Sequence, residues 1–130
     1  MGEYFYGNIV EARNVMHELG VVFYIAGSVE RIAAENQASH VNKVVLQIGE
    51  VSMIINDYLE DCWKWNAKRR PMLADCTLEI ETIPAITYCE DCGEKYETVA
   101  HGRTCPCCQS ERTYLVQGNE TEIKEIVVDG

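Results

Sequence analysis

The chain is 130 residues long and 47% hydrophobic, enough apolar material for one ordinary domain or for a small domain carrying a metal-stapled module. Its formal net charge of −10 excludes a nucleic-acid partner, because binding phosphate requires a basic face. No run approaches the ~20 apolar residues of a membrane span, so no membrane partner is expected.

Residues 1–15 carry no clear period and are broken by Gly2, Gly7 and Asn8; they form an N-terminal extension of unknown role. Glu3 and Tyr4-Phe5-Tyr6 stand where a secretory signal would have a basic and then an apolar stretch, so a reducing, cytoplasmic setting is expected. From His17 the pattern changes. Leu19, Val22, Phe23, Ala26, Val29, Ile32 and Ala33 recur at three- and four-residue spacing, which predicts an amphipathic helix over 17–36. Glu18 in its first turn suits the positive helix N-terminus, and Gly27 within it costs ~1 kcal/mol. Residues 41–48 are rich in β-branched side chains and read as a strand, ended by Gly49. A second helix, capped by Asn56 or Asp57, runs to Lys68, with Tyr58, Leu59, Cys62, Trp63 and Trp65 as apolar surface and Pro71 as its stop. Lys64, Lys68, Arg69 and Arg70, the chain's only basic cluster, lie toward its end, where cations complement the helix dipole. Residues 76–83 alternate with period two, as a half-buried strand does, until Pro84.

Two cysteine knuckles follow, Cys89-Glu90-Asp91-Cys92 and Cys105-Pro106-Cys107-Cys108, within a module over residues 86–117. Two C-x-x-C units joined by a short polar loop can place four thiolates around one metal, and a Cys₄ zinc site has no open position, so its role is structural. Gly93 after the first knuckle is free to take positive φ; Gln109 occupies the matching place in the second, at a cost of ~1 kcal/mol if left-handed. Two disulfides are the competing reading, disfavoured by the odd count of 7 cysteines. Iron is another, since Tyr88 to Tyr96 is laid out like a rubredoxin knuckle. Cys107 has a poorer chelating span than Cys105-x-x-Cys108. Cys62 and Cys76 read as small core hydrophobes. Trp63, Trp65 and Tyr58 read as core and edge aromatics and His40 as a solvated side chain; His101, between the knuckles, reads as an exposed loop residue, with a place in a metal site as the alternative.

Residues 122–128 read as one more strand, too short to stand alone. Its simplest place is in the sheet begun before the knuckles. The expected fold is therefore α+β: a small mixed sheet of about three strands with two helices, into which a Cys₄ zinc-ribbon module is inserted. Nothing resembles a nucleophile–base pair or a phosphate-binding glycine loop, so enzyme activity is not expected.

Met16-His17-Glu18 opening an amphipathic helix, Ile48-Gly49-Glu50, Leu78-Glu79-Ile80-Glu81, the knuckles, and Gln117-Gly118-Asn119-Glu120 before the last strand occur in one order. Together they resemble the HypA/HybF family, the nickel metallochaperones of [NiFe]-hydrogenase maturation, over residues 16 to about 128. The resemblance implies a nickel-binding α+β domain over 16–85 and 118–130, and a zinc-binding module over 86–117 with Cys89, Cys92, Cys105 and Cys108 as ligands. It implies Ni²⁺ held by the His17 imidazole with the backbone nitrogens of a terminal Met16, and Glu18 either joining through its own nitrogen or serving the partner interface. In the family that motif opens at the initiator methionine, whereas here Met16 follows fifteen residues. A HypB-type GTPase and the hydrogenase large subunit are the implied partners, alongside a weak homodimer. The rival class is a zinc-ribbon adaptor that binds a protein partner without handling nickel, with rubredoxin-like electron transfer behind it.

Overall fold

The structure is a computed structural model describing residues 17–129. Helix α1 (His17–Glu35) is followed by strand β1 (Val41–Gly49), helix α2 (Asn56–Ala67), a single 3₁₀ turn at Pro71–Leu73 and strand β2 (Thr77–Ile83). Strands β3 (Ile86–Cys89) and β4 (Lys95–Glu97), a one-turn helix α3 (Thr98–His101) and strand β5 (Thr113–Gln117) come next, and β6 (Thr121–Val128) ends the chain. The strands form two three-stranded sheets, ordered β2-β1-β6 and β4-β3-β5. In the first, β1 pairs parallel with β2 and antiparallel with β6, a mixed sheet whose parallel pair is joined through α2. The α+β class expected from the sequence is the fold observed.

The main core lies between the two helices and one face of the β2-β1-β6 sheet. Val21, Val22, Ile25, Ala26, Val29 and Ala33 of α1 meet Val44, Leu46 and Ile48 of β1 and Leu59 and Trp63 of α2. Trp63, 2% exposed, directs its indole N–H to the Cys76 carbonyl at 3.4 Å, so its polar edge is satisfied inside the core. Phe23, expected on the buried stripe, is instead 43% exposed and packs against the Trp65 ring at 6.4 Å. The stripe is centred on Ile25 and Val29, and Phe23 falls beyond its edge. The opposite sheet face is polar: Gln47 donates to Glu81 at 3.0 Å and Lys124 to Glu81 at 2.7 Å across three strands.

Helix α1 ends in a Schellman turn: Ala38 N–H reaches the Ala33 carbonyl at 2.8 Å, Gln37 N–H reaches that of Ala34 at 3.0 Å, and Gln37 takes φ 62. At the start of α2 the structure corrects the expected cap. Asn56 is already helical, the capping position belongs to Ile55, and no side chain at that position caps the helix. The Ile55 N–H instead donates to the carboxylate of Glu18 at 3.0 Å, so α1 adds a second acidic group to the start of α2, whose own first turn carries Asp57. The basic cluster at the other end of α2 is engaged locally: Arg69 lies over the Trp65 ring at 3.9 Å and Arg70 pairs with Glu30 of α1.

The two sheets meet at a tight backbone junction. A Cβ on Gly49 would lie 2.1 Å from the carbonyl carbon of Gly118, and one on Gly118 would lie 2.3 Å from Cα of Ala85. Gly118 also has φ +113, a conformation open in practice only to glycine. Around this contact Val51 N–H donates to the Gly118 carbonyl and Glu50 N–H to that of Ile83, both at 2.8 Å. The Glu50 carboxylate takes Ala85 N–H at 2.9 Å, and the Glu120 carboxylate takes Gly118 N–H at 2.8 Å.

Candidate metal centre

Two loops of identical hydrogen-bond pattern build the cysteine site. In the first, Cys89 N–H donates to the Glu94 carbonyl and Gly93 N–H to that of Cys89, both at 2.9 Å. In the second, Cys105 N–H donates to the Ser110 carbonyl and Gln109 N–H to that of Cys105, again at 2.9 Å. Each loop reverses through a left-handed residue at the same place, Gly93 at φ 78 and Gln109 at φ 67. The sequence expectation of a strained glutamine is therefore met. Asp91 braces one knuckle to the other, accepting from the Arg112 guanidinium at 2.8 Å and from the Ser110 hydroxyl.

This folding brings Cys89, Cys92, Cys105 and Cys108 together with all four sulfurs within 4.8 Å of one another. The Cys89–Cys108 and Cys92–Cys105 sulfurs are each 3.6 Å apart, and none of the four is in a disulfide. A metal–sulfur bond of ~2.3 Å puts tetrahedral thiolates ~3.8 Å apart, so the donor set fits a tetrahedral ion such as zinc or iron. Cys89 and Cys105 are fully buried, while Cys92 and Cys108 close the site from the solvent side.

Without a metal, the Cys89, Cys92 and Cys108 thiols shift in opposite directions. Cys89 is drawn down to about 7, chiefly by the Cys92 backbone N–H. Cys92 accepts the Glu94 N–H and Cys108 that of Ser110, yet desolvation and the neighbouring sulfurs outweigh those bonds and push both up, Cys92 to about 12. A cation must therefore displace protons from the cluster as it binds, and its affinity falls with pH.

The other candidates are dispersed. Cys107 is exposed and stands outside the cluster. His101 is exposed on α3 with its ring edge-on to Tyr96 at 5.9 Å. Cys76 is 8% exposed and burial raises its thiol to about 11, which fits a core residue. Cys62 is half-buried against the same core, its thiol raised by desolvation first and then by Glu18 and Asp61. Met16 lies outside the described residues, and α1 begins at His17. The carboxylate of Glu18 is turned to the start of α2. No described helix is long and apolar enough to cross a membrane. Glu50 and Glu120, which tie the cysteine module to the larger sheet, carry no signal beyond their place in the family-like motifs; nothing local shows that Gly49, Ala85 and Gly118 converge.

Comparison with known proteins gives a consistent result. A family model described as "Hydrogenase/urease nickel incorporation, metallochaperone, hypA" matches residues 16–128. The hydrogenase maturation factor HybF of Klebsiella pneumoniae is 31% identical over 111 residues, covering 85% of this chain and 97% of that protein. The hydrogenase maturation factor HypA of Nostoc sp. is 34% identical over 114 residues, covering 88% and 96%. Among solved structures, the Ni metallochaperone HypA from Helicobacter pylori superposes with a TM-score of 0.65 at 25% identity, over 85% of this chain and 96% of that one. A second HypA solution structure gives 0.69 at 26% identity, over 88% and 98%.

Proposed function

The chain belongs to the HypA family of nickel-incorporation metallochaperones in hydrogenase maturation, and from that membership we propose that it carries Ni²⁺ at the start of α1 and delivers it to the large subunit of a [NiFe]-hydrogenase. The observation that carries this reading is the extent of the match: it begins at Met16, so Met16-His17-Glu18 opens it and all four clustered cysteines lie inside it. Cys89, Cys92, Cys105 and Cys108 hold a structural Zn²⁺, which supplies folding energy to a module too small to build a sufficient core. The cargo is held elsewhere. Imidazole and amide or amine nitrogens suit Ni²⁺ in planar coordination, and an exposed terminal site releases metal more readily than a caged one. His17 supplies the imidazole, Met16 and Glu18 the adjoining backbone nitrogens.

A HypB-type GTPase docks beside that end rather than on the zinc module, because ligand exchange without free nickel requires the partner to reach the cargo. The surface there is suited to it: Glu18 is bonded to Ile55, and Met53, Ile55 and Tyr58 are 71%, 53% and 58% exposed. The role is delivery rather than catalysis, and its setting is the cytoplasm, where the thiols stay reduced.

Nickel titration of two chains, one beginning at Met1 and one at Met16, tests the reading. The shorter chain should bind one Ni²⁺ in a planar, diamagnetic site while retaining one zinc, and the longer should bind nickel more weakly, having lost the Met16 amine. His17→Ala in the shorter chain should abolish nickel binding with zinc content and circular dichroism unchanged. Binding should weaken as pH falls below ~6.5, where imidazole takes its proton. Equal nickel affinity with and without His17 overturns the proposal.

A further inference from the structure

The exposed side of the helix pair carries an apolar stripe. Along α2 and its two ends, Ile55, Tyr58, Trp65 and Arg69 recur at helical spacing on one side, and the first three are 53%, 58% and 47% exposed. Phe23 of α1 borders the stripe, its ring 6.4 Å from that of Trp65, and Arg69 stacks on the Trp65 ring at 3.9 Å. Gly20 and Gly27 flank Phe23 on its own side of α1, and a Cβ at either would meet nothing within 4 Å among the described residues. Glycine inside a helix is unfavourable relative to alanine. Here it leaves bare backbone on both sides of an exposed phenylalanine, and so a shallow groove with an aromatic wall.

We infer that this groove is the docking site of the chain's own N-terminal extension, with Tyr4-Phe5-Tyr6 laid against Phe23 and Trp65. Place, reach, composition and charge select this occupant. Helix α1 begins at His17, and the Glu18 carboxylate holds Ile55 N–H at 3.0 Å, so the chain enters α1 at the Ile55 end of the stripe. The helix from Ile55 to Trp65 rises ~15 Å, which about five extended residues span. The residues before His17 are enough for a turn and that run. Among them Tyr4-Phe5-Tyr6 is the longest apolar run, and Ile9-Val10 follows it. With Ile9 and Val10 beside Ile55 and Tyr58, the aromatic triplet reaches Trp65. Glu3 then meets Lys68 and Arg69 in the only basic cluster of a chain whose net charge is −10. Tethering supplies an effective concentration in the millimolar range, so a contact of only ~0.5 mM intrinsic affinity keeps the groove covered most of the time. The cover sits on the surface assigned above to a partner and must leave before that partner docks. This consequence rests on that reading, whereas the contact itself involves neither nickel nor a partner.

Acrylamide quenching of tryptophan fluorescence tests the contact. Trp63, 2% exposed, is shielded in every form, so the signal reports Trp65. In the full chain Trp65 should be quenched at least ~2-fold less readily than in a Tyr4→Ser/Phe5→Ser/Tyr6→Ser variant of the same length. A chain beginning at Met16 should match that variant. A synthetic peptide of residues 1–15 should restore protection to the shorter chain with a Kd of ~0.1–1 mM, and should fail to protect its Phe23→Ala form. If the shorter chain does not fold, the triple variant of the full chain carries the test. Equal quenching of the full chain and the triple variant overturns the inference and leaves the groove to a partner. Protection that rises with protein concentration overturns it in favour of a second copy. A peptide that protects Phe23→Ala as well as the parent overturns it also.

Discussion

Gln109 illustrates how much one backbone angle contributes to this protein. It reverses the second knuckle at φ 67, in the place that Gly93 fills in the first at φ 78. The two loops otherwise share their hydrogen bonds, so the difference between them is the strain of a side chain on a left-handed backbone. Gln109→Gly removes it and should stabilise the module by about 1 kcal/mol, less the extra entropy that glycine gives the unfolded chain. A rise in the chelator concentration needed to strip half the metal from the loaded protein would register the gain; a fall would show that the Gln109 side chain contributes more than its backbone costs.

Between elements, the chain relies on carboxylates borrowed from distant segments. Helix α2 begins at a residue with no capping side chain, and Glu18 of α1 supplies the acceptor for Ile55 N–H at 3.0 Å. Glu18→Ala should cost about 1 kcal/mol, the usual worth of a helix cap, and Glu18→Gln less, since an amide oxygen still accepts. Urea midpoints of the two variants measure the difference, and equal midpoints would assign Glu18 no such role. The cysteine module shows the opposite dependence. Its buried cluster consists of Cys89, Tyr96 and Cys105, too little apolar surface to order the segment without metal. Cys92→Ser should therefore release zinc and disorder residues 86–117, while the α1–α2–sheet core, which shares no side chain with that cluster, keeps its near-ultraviolet signal. A Cys92→Ser protein with stoichiometric zinc would contradict the assignment.

Across the whole molecule the two sheets are joined by close backbone contact, braced by two carboxylates. Gly49, Ala85 and Gly118 come from three separate segments and approach so closely that neither glycine can carry a Cβ. Gly118→Ala combines a forbidden φ of +113 with a carbon 2.3 Å from Ala85 Cα, and should cost about 3 kcal/mol or split the melt into two transitions. Calorimetry with zinc retention as a second readout distinguishes these outcomes, and a variant melting as one unit at the parent temperature would show that the junction yields. The Glu50 and Glu120 carboxylates, each receiving a backbone N–H beside this contact, hold the same region from either side.

Much of this was local and therefore legible in the sequence. The period of α1, the β-branched run of β1 and the alternation of β2 depend on neighbours a few residues away, and each element lies within two residues of its expected bounds. The cluster of four cysteines was legible because chelating spacing fixes both residue type and interval. The order of motifs from Met16 to Glu120 carried the family. Other features were decided only by the tertiary structure, because they depend on segments far apart in the chain. No local pattern tells that α2 takes its acceptor from Glu18, 37 residues earlier, or that β1 pairs parallel with β2 and antiparallel with β6. Phe23 has the helical spacing of a core residue, and only the direction from which β1 and α2 approach leaves it outside. The exposed edge of β5 exists because the second sheet ends there, and a sheet's end is a property of the assembled strands rather than of any one of them.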